Sequence, residues 1–271
     1  MNKPDDNPAV RAFPIERWSE GHATPANDEL AVEEPLEIRV RGRAVSITMR
    51  TPGHDEDLAI GFLLSEGLIH SASDISRVDP CVRAAEGNII NVFLAPYVEV
   101  DFDKLTRHVF ASSSCGVCGK ASIDAVRLGF PPVPPGVTFS TATIQQMPHA
   151  LRAAQSTFER TGGLHAAALF SANGKLAVLR EDVGRHNAVD KALGWALQQP
   201  GIAMEQHALM VSGRASFEIV QKALAAKVPL IAAVSAPSSL AVELARDSGQ
   251  TLVGFLRPGR MNLYSHAHRV V

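Results

Sequence analysis

Cys115 and Cys118, three positions apart in Ser113-Ser114-Cys115-Gly116-Val117-Cys118-Gly119-Lys120, are the side chains of this sequence best suited by type and spacing to covalent chemistry. Gly116 and Gly119 lack a Cβ, so the backbone can bend to bring the sulfurs together or swing them outward. Lys120 and the start of a helix expected over 122–128 both favour thiolate over thiol, which makes a sulfur nucleophile near neutral pH. Three chemistries fit one such pair. A structural zinc wants four ligands, and Cys81 is the one further cysteine. A dithiol redox pair uses the same spacing, but no strongly apolar strand leads into this loop. In sulfur carriage, a thiolate accepts a sulfur atom as a persulfide and hands it on, which needs access more than a rigid cage. Cys81 reads as a small packed residue.

A second group of residues could hold an anion. Ser212-Gly213-Arg214 lies between an apolar run, 208–211, and a helical pattern, 217–226, so helix-start N–H groups and a guanidinium converge there. Ser235-Ala236-Pro237-Ser238 repeats the strand-to-helix arrangement with hydroxyls, and Glu181 to Asn187 is dense in polar groups ahead of another helix. Each alone fits ordinary helix capping. Together they point to an anionic, nucleotide-like ligand beyond the carboxyl ends of strands. Phe255-Leu256-Arg257-Pro258-Gly259-Arg260 places two guanidinium groups around a Pro-Gly turn, a geometry suited to clamping phosphate. The competing reading is a solvated basic tail, against which Leu263 and Tyr264 stand as anchors.

The elements that must position these residues follow from periodicity. Leu36, Ile38 and Val40, then Val45, Ile47 and Met49, alternate on either side of Arg41-Gly42 and predict a hairpin. Residues 55–65 predict a helix with acids in its first turn, and 88–94 a strand. Pro131, Pro132, Pro134 and Pro135 rule out regular structure over 130–136. Met147, Leu151, Ala154 and Phe158 share a helical face, which Gly162-Gly163 ends. Strands over 164–170, 176–179, 208–211, 230–234 and 251–256 then alternate with helices over 187–198, 217–226 and 239–246, except across Asn173-Gly174, a hairpin dipeptide. This order predicts an α/β architecture with a largely parallel sheet.

Composition sets the outer bounds. The chain has 271 residues, is 46% hydrophobic and 20% charged, and has a formal charge of −2, which leaves no global field for holding nucleic acid. Residues 1–35 carry eight acids and three bases, a net of −5, leaving +3 for the rest. With five prolines and little periodicity, that segment is expected to be a flexible acidic arm. The expected organisation is therefore an arm over 1–35, a smaller α+β domain over 36–130 ending in the cysteine loop and its helix, a Pro-rich connector over 131–146, and an α/β ligand-binding domain over 147–271. No apolar run approaches the roughly 20 residues of a membrane span, and the N-terminus lacks the basic and apolar regions of a signal peptide. A cytoplasmic protein without membrane association is expected.

Taken together, SSCGVCGK at 113–120, TGGLHAAALF at 161–170, EDVGRHNAVDKALG at 181–194, VSGRASFEIVQKA at 211–223 and GFLRPGRMNLYSH at 254–266 resemble the FdhD family, the sulfur-carrying accessory proteins of formate dehydrogenase. The resemblance runs from about Leu36 onward. It implies a cytoplasmic sulfurtransferase that takes sulfur from a cysteine desulfurase and delivers it to the bis(molybdopterin guanine dinucleotide) molybdenum cofactor, held as a bound substrate, before that cofactor enters formate dehydrogenase. Cys115 maps to the family's persulfide carrier and Cys118 to its assistant. Residues 255–260 map to the segment that binds the cofactor through its guanine nucleotide moieties. A homodimer, no permanent metal and a larger domain similar to the three-layer cytidine deaminase fold are implied as well. Deamination itself is disfavoured, because His165 is followed by Ala166 and Ala167 where a zinc deaminase needs a glutamate two residues on. His165 then reads as a structural or pocket-wall residue. The alternative function is a chaperone that binds the same cofactor for formate dehydrogenase without sulfur chemistry.

Overall fold

The computed structural model describes residues 7–80, 88–102 and 129–271. All three cysteines and the helix expected over 122–128 lie outside them. The chain opens with an antiparallel ribbon of β1 (Val10–Ser19) and β2 (His22–Ala31), paired along their whole length. The flexible arm expected over 1–35 is corrected here. Glu20 and Gly21 both take positive φ, 52° and 81°, so a two-residue turn folds the segment back on itself. Prolines are compatible with the ribbon because the pairs Pro14–Asn27 and Glu16–Pro25 lie two apart in register. Both prolines therefore fall in the set of positions whose backbone needs no ladder hydrogen bond.

Next come β3 (Glu34–Val40) and β4 (Arg43–Arg50), joined through Arg41 and Gly42 at positive φ, then α1 (Asp55–Ser65), β5 (Ile75–Pro80) and β6 (Ile89–Leu94). They form a four-stranded sheet in the order β4-β3-β6-β5, parallel only between β3 and β6. The alternation read in the sequence turns Leu36, Ile38 and Val40 inward to full burial.

The C-terminal half holds α2 (Thr141–Ala154), α3 (Ser156–Thr161), β7 (His165–Ser171), β8 (Leu176–Asp182), α4 (Arg185–Leu197), β9 (His207–Val211), α5 (Phe217–Ala225), β10 (Leu230–Ala233), α6 (Ser239–Asp247), β11 (Thr251–Arg257) and β12 (Arg260–Ser265). The irregular connector ends sooner than expected. The Ser140 hydroxyl accepts from the Thr143 N–H at 3.0 Å and starts α2 at Thr141.

The six strands take the order β12-β11-β10-β9-β7-β8. Only β9–β10 and β10–β11 are parallel, so the expectation of a largely parallel sheet is corrected to a mixed one. Connection length decides this. Helices α5 and α6 carry the chain over the sheet between parallel neighbours, whereas the short links from β7 to β8 and from β11 to β12 can join only antiparallel strands.

Burial on both faces explains the composition of β7. Ala167 and Leu169 pack with Leu58, Leu63, Ala188 and Val189, in a core shared by both sheets, α1 and α4. Ala166, Ala168 and Phe170 face the other way, toward Phe139, Ile144 and Met147. Helices α1 and α4 meet backbone to backbone: a Cβ on Gly61 would lie 1.8 Å from the Asp190 carbonyl oxygen. None of the described helices is long and apolar enough to cross a membrane.

Candidate functional site

The carboxyl ends of β9, β10 and β11 form one edge, and the antiparallel β7 begins there because Ala167 pairs with Val211. Four loops are thereby gathered: Gly162–Leu164 before β7, Val183–Gly184 after β8, Ser212–Ser216 after β9 and Val234–Ser238 after β10. The latter two are tied together. Ser238 N–H donates to Ala215 O at 3.0 Å, Ser235 N–H to Gly213 O at 3.4 Å, and Ala215 pairs with Pro237 in a short bridge. The Ser212 hydroxyl accepts from Ala166 N–H at 2.9 Å and so fixes the first loop to β7.

Beneath this edge lies a cavity of about 590 Å³. Leu151, Phe158, Leu164, Val234 and Leu256 give it an apolar floor; Ser212, His165, Arg257 and Arg152 supply polar groups. The Arg257 guanidinium donates to Val234 O at 2.5 Å and to Leu256 O at 2.9 Å, which holds the charge at the mouth. Arg152 lies over the Phe158 ring, 4.9 Å from its centroid, and pairs with Glu159. An apolar slot with a few convergent polar groups and two guanidiniums suits a flat, partly apolar molecule bearing phosphate.

Of the residues expected to bind cofactor, Ser212, Leu256 and Arg257 line this cavity together with His165. Gly213 lies beside it, where an added Cβ would be 3.5 Å from His165 Nδ1. Arg214 and the Pro258-Gly259-Arg260 turn are exposed and are not among its lining residues. Phe255, 45% exposed at a φ of 50°, sits in an irregular stretch of the β11–β12 pair and points away from the core. Cys115 and Cys118 lie outside the described residues.

Arg152, Gln155 and Phe158 were not anticipated as cavity residues. The helical spacing through Phe158 reads as one continuous face, but Gln155, at a ψ of 73°, breaks it and starts α3 afresh. That break turns Phe158 toward the cavity. Glu181 caps the new helix, accepting from Thr157 N–H at 3.0 Å and Phe158 N–H at 2.8 Å.

Glu181, Asp182 and Asn187 of the polar run 181–187 are taken up by contacts within the fold. Asp182, fully buried, accepts from Lys191 Nζ at 2.7 Å, Thr51 N–H at 3.1 Å, Gly184 N–H at 2.8 Å and the Asn187 amide at 3.0 Å. Asp190 is likewise held by Lys222 at 2.7 Å and by the Ser65 hydroxyl at 2.6 Å; burial pushes its carboxyl up. Two histidines stand next to this network. Burial, and then the Arg185 charge, push His165 below the ordinary imidazole range, with Asp182 opposing. His186 is driven down to about 3, by burial first and then by Lys222, Arg185 and His165. Both present neutral rings at pH 7.

Fold and site together define an α/β protein whose mixed sheet carries a phosphate-compatible edge over an apolar cavity. The chain belongs to the FdhD/NarQ family, whose model matches residues 31–271. It is 53% identical over 257 residues to a protein of Mycolicibacterium paratuberculosis named sulfur carrier protein FdhD, covering 92% of this chain and 94% of that one. A Streptomyces avermitilis protein of the same name is 51% identical over 263 residues, covering 94% and 93%. The crystal structure of a formate dehydrogenase accessory protein from Desulfotalea psychrophila superimposes with a TM-score of 0.80 at 28% identity, covering 97% of this chain and all of that one.

Proposed function

We propose that this protein is a cytoplasmic sulfur carrier serving formate dehydrogenase. The Cys115 thiolate attacks the outer sulfur of a cysteine desulfurase persulfide, forming Cys115–S–SH and releasing the desulfurase thiolate. Cys118 thiolate then attacks the inner sulfur of Cys115, expelling HS⁻ toward the molybdenum of the bound substrate, the bis(molybdopterin guanine dinucleotide) cofactor. That step leaves a Cys115–Cys118 disulfide, which an external dithiol reduces. The two electrons that turn the carried sulfur into sulfide thus come from the cysteine pair.

The observation that carries this reading is the cavity of about 590 Å³ at the strand ends, in which Ser212 and Arg257 join an apolar floor. Its size and lining support this reading: Arg257 would take a phosphate of one nucleotide-bearing arm, and Phe158 and Leu256 would offer apolar surface to a ring. Relatives named sulfur carriers, about half identical over most of the chain, support the chemistry. A Cys115→Ser, Cys118→Ser double variant tests it in cells that lack their own copy. Formate dehydrogenase activity falls to background if the chain carries sulfur. Full activity would reject sulfur transfer in favour of cofactor chaperoning.

A further inference from the structure

The stretch Gly162-Gly163-Leu164-His165 forms one wall of the cavity at the strand ends, and His165 opens β7 there with a partly buried ring. Opposite the ring, Gly213 carries no Cβ; one added to it would stand 3.5 Å from Nδ1 and 3.7 Å from Cε1. Glycine thus leaves a methyl-sized gap at the edge of the imidazole that bears Nδ1. Among the lining residues His165 alone can change its charge near neutral pH, since the others are arginine, glutamine, serine, glycine, proline and apolar side chains.

The charge balance of the cavity gives that property a use. Arg152 of α2 is paired with Glu159 of α3, which offsets its charge. Arg257 of β11 donates to two carbonyl oxygens and has no carboxylate partner among the described residues. The two acids of β8 nearby are occupied, Glu181 by the Thr157 and Phe158 N–H groups and Asp182 by Lys191. A phosphate monoester carries close to two negative charges at pH 7. In this cavity it meets one uncompensated guanidinium, and the second charge, drawn out of water, needs a partner.

His165 is placed to be that partner. Its backbone pairs with Asp182 across β7 and β8, and Asp182 favours a charged ring. Burial opposes this more strongly, as does Arg185 from the start of α4, so without an anion beside it the ring is neutral at pH 7. His186 of α4 is adjacent and also neutral, with Glu218 of α5 3.9 Å from its Nε2 and Lys222 of α5 nearby. Arg214, in the loop after β9, is exposed and does not line the cavity. A phosphate dianion next to the ring reverses the balance, because an opposite charge at short range favours the protonated form.

We propose that His165 positions the phosphate in this cavity and that its imidazole takes up one proton from solvent as the phosphate enters, forming an imidazolium that balances the second negative charge. The inference rests on the reading of the cavity as a nucleotide site. The only bond formed is N–H, and the proton returns to solvent when the ligand leaves. Binding is thereby coupled to pH and is tighter on the acid side of neutrality.

Calorimetry of guanosine monophosphate binding to the full chain at about pH 7.5, in buffers of different ionisation enthalpy, counts the protons. At that pH the phosphate is mostly dianionic already, so the ligand has little proton of its own to release. Uptake of about half a proton or more per nucleotide is expected, with affinity falling about threefold or more from pH 7 to 8, where full linkage gives about tenfold. His165→Gln, which keeps a hydrogen-bonding side chain but cannot titrate, is expected to bind with no proton uptake. Binding by the parent chain without proton uptake overturns this inference and leaves the nucleotide site standing, and that measurement needs no variant. Uptake that persists in His165→Gln assigns the proton to another group and overturns it as well. No binding by the parent chain overturns both readings.

Discussion

Replacing Gly61 by alanine adds one methyl group at the closest approach of α1 and α4. The new Cβ would stand 1.8 Å from the carbonyl oxygen of Asp190, and the matching position, Gly194, is 1.9 Å from the carbonyl of Asp57. Both obstacles are backbone, so no rotamer change relieves them. The helices must part by more than an ångström, loosening Leu58, Ala59, Val189 and Leu193, all essentially fully buried. Overpacking a tight core costs about 1–3 kcal/mol, sometimes more. Alanine's better helix propensity returns about 1 kcal/mol. Because the clash is with rigid backbone and the displacement opens contacts along the whole crossing, the cost is expected at the upper end of that range and the net loss at about 2 kcal/mol. Urea unfolding of Gly61→Ala measures it. Gly201→Ala, where an added Cβ meets nothing within 4 Å, serves as the control and should stay within about 0.5 kcal/mol. A Gly61→Ala variant as stable as its parent would refute the backbone contact and with it the shared core of the two sheets.

Two further perturbations address the site. His186 has a folded-state pKa near 3, depressed by burial and then by Lys222, Arg185 and His165. In the unfolded chain it titrates near 6.5, so between those values only the unfolded state binds the proton and acid favours unfolding. Stability is expected to fall below pH 6.5 with a contribution of about 1.4 kcal/mol per pH unit from this residue. His186→Asn should flatten that slope in urea titrations from pH 7 to 5; an unchanged slope would remove His186 from the account. Arg257→Ala deletes the guanidinium at the cavity mouth. It is expected to weaken guanosine monophosphate binding, followed by calorimetry, by about 10-fold or more, since a charge-assisted hydrogen bond contributes about 1.5–3 kcal/mol. Arg246→Ala, whose guanidinium reaches only Tyr264 O in the described residues, should leave binding unchanged. Equal losses from both would mean that Arg257 acts through general charge alone.

Strands with one buried face were legible in the sequence. Leu36, Ile38 and Val40 alternate cleanly because the intervening residues face away from the core. The β1–β2 ribbon was not legible, because it buries little on either face and so leaves no periodic signature, while its prolines argue for irregular chain. The start of α3 was hidden for a different reason: the break lies in the backbone angles of Gln155, and Phe158 keeps helical spacing with Leu151. At the strand ends, polar residues in similar local settings do different work. Ser212 and Arg257 line the cavity, whereas Asp182 and Asn187 are consumed by buried partners. Tertiary contacts separate the two: Asp182 accepts from Thr51 N–H and Asn187 donates to Met49 O, both partners coming from the β4 end far away in the sequence.

The proposed function depends on sulfur being carried on Cys115. Incubating the full chain with a cysteine desulfurase and cysteine, then mapping modified peptides by mass spectrometry without reductant, reads this directly. One added sulfur atom on Cys115, absent when cysteine is omitted and lost in Cys115→Ala, is the predicted result. Sulfur retained in Cys115→Ala at the level of the parent chain, or no added sulfur on any peptide, would contradict it.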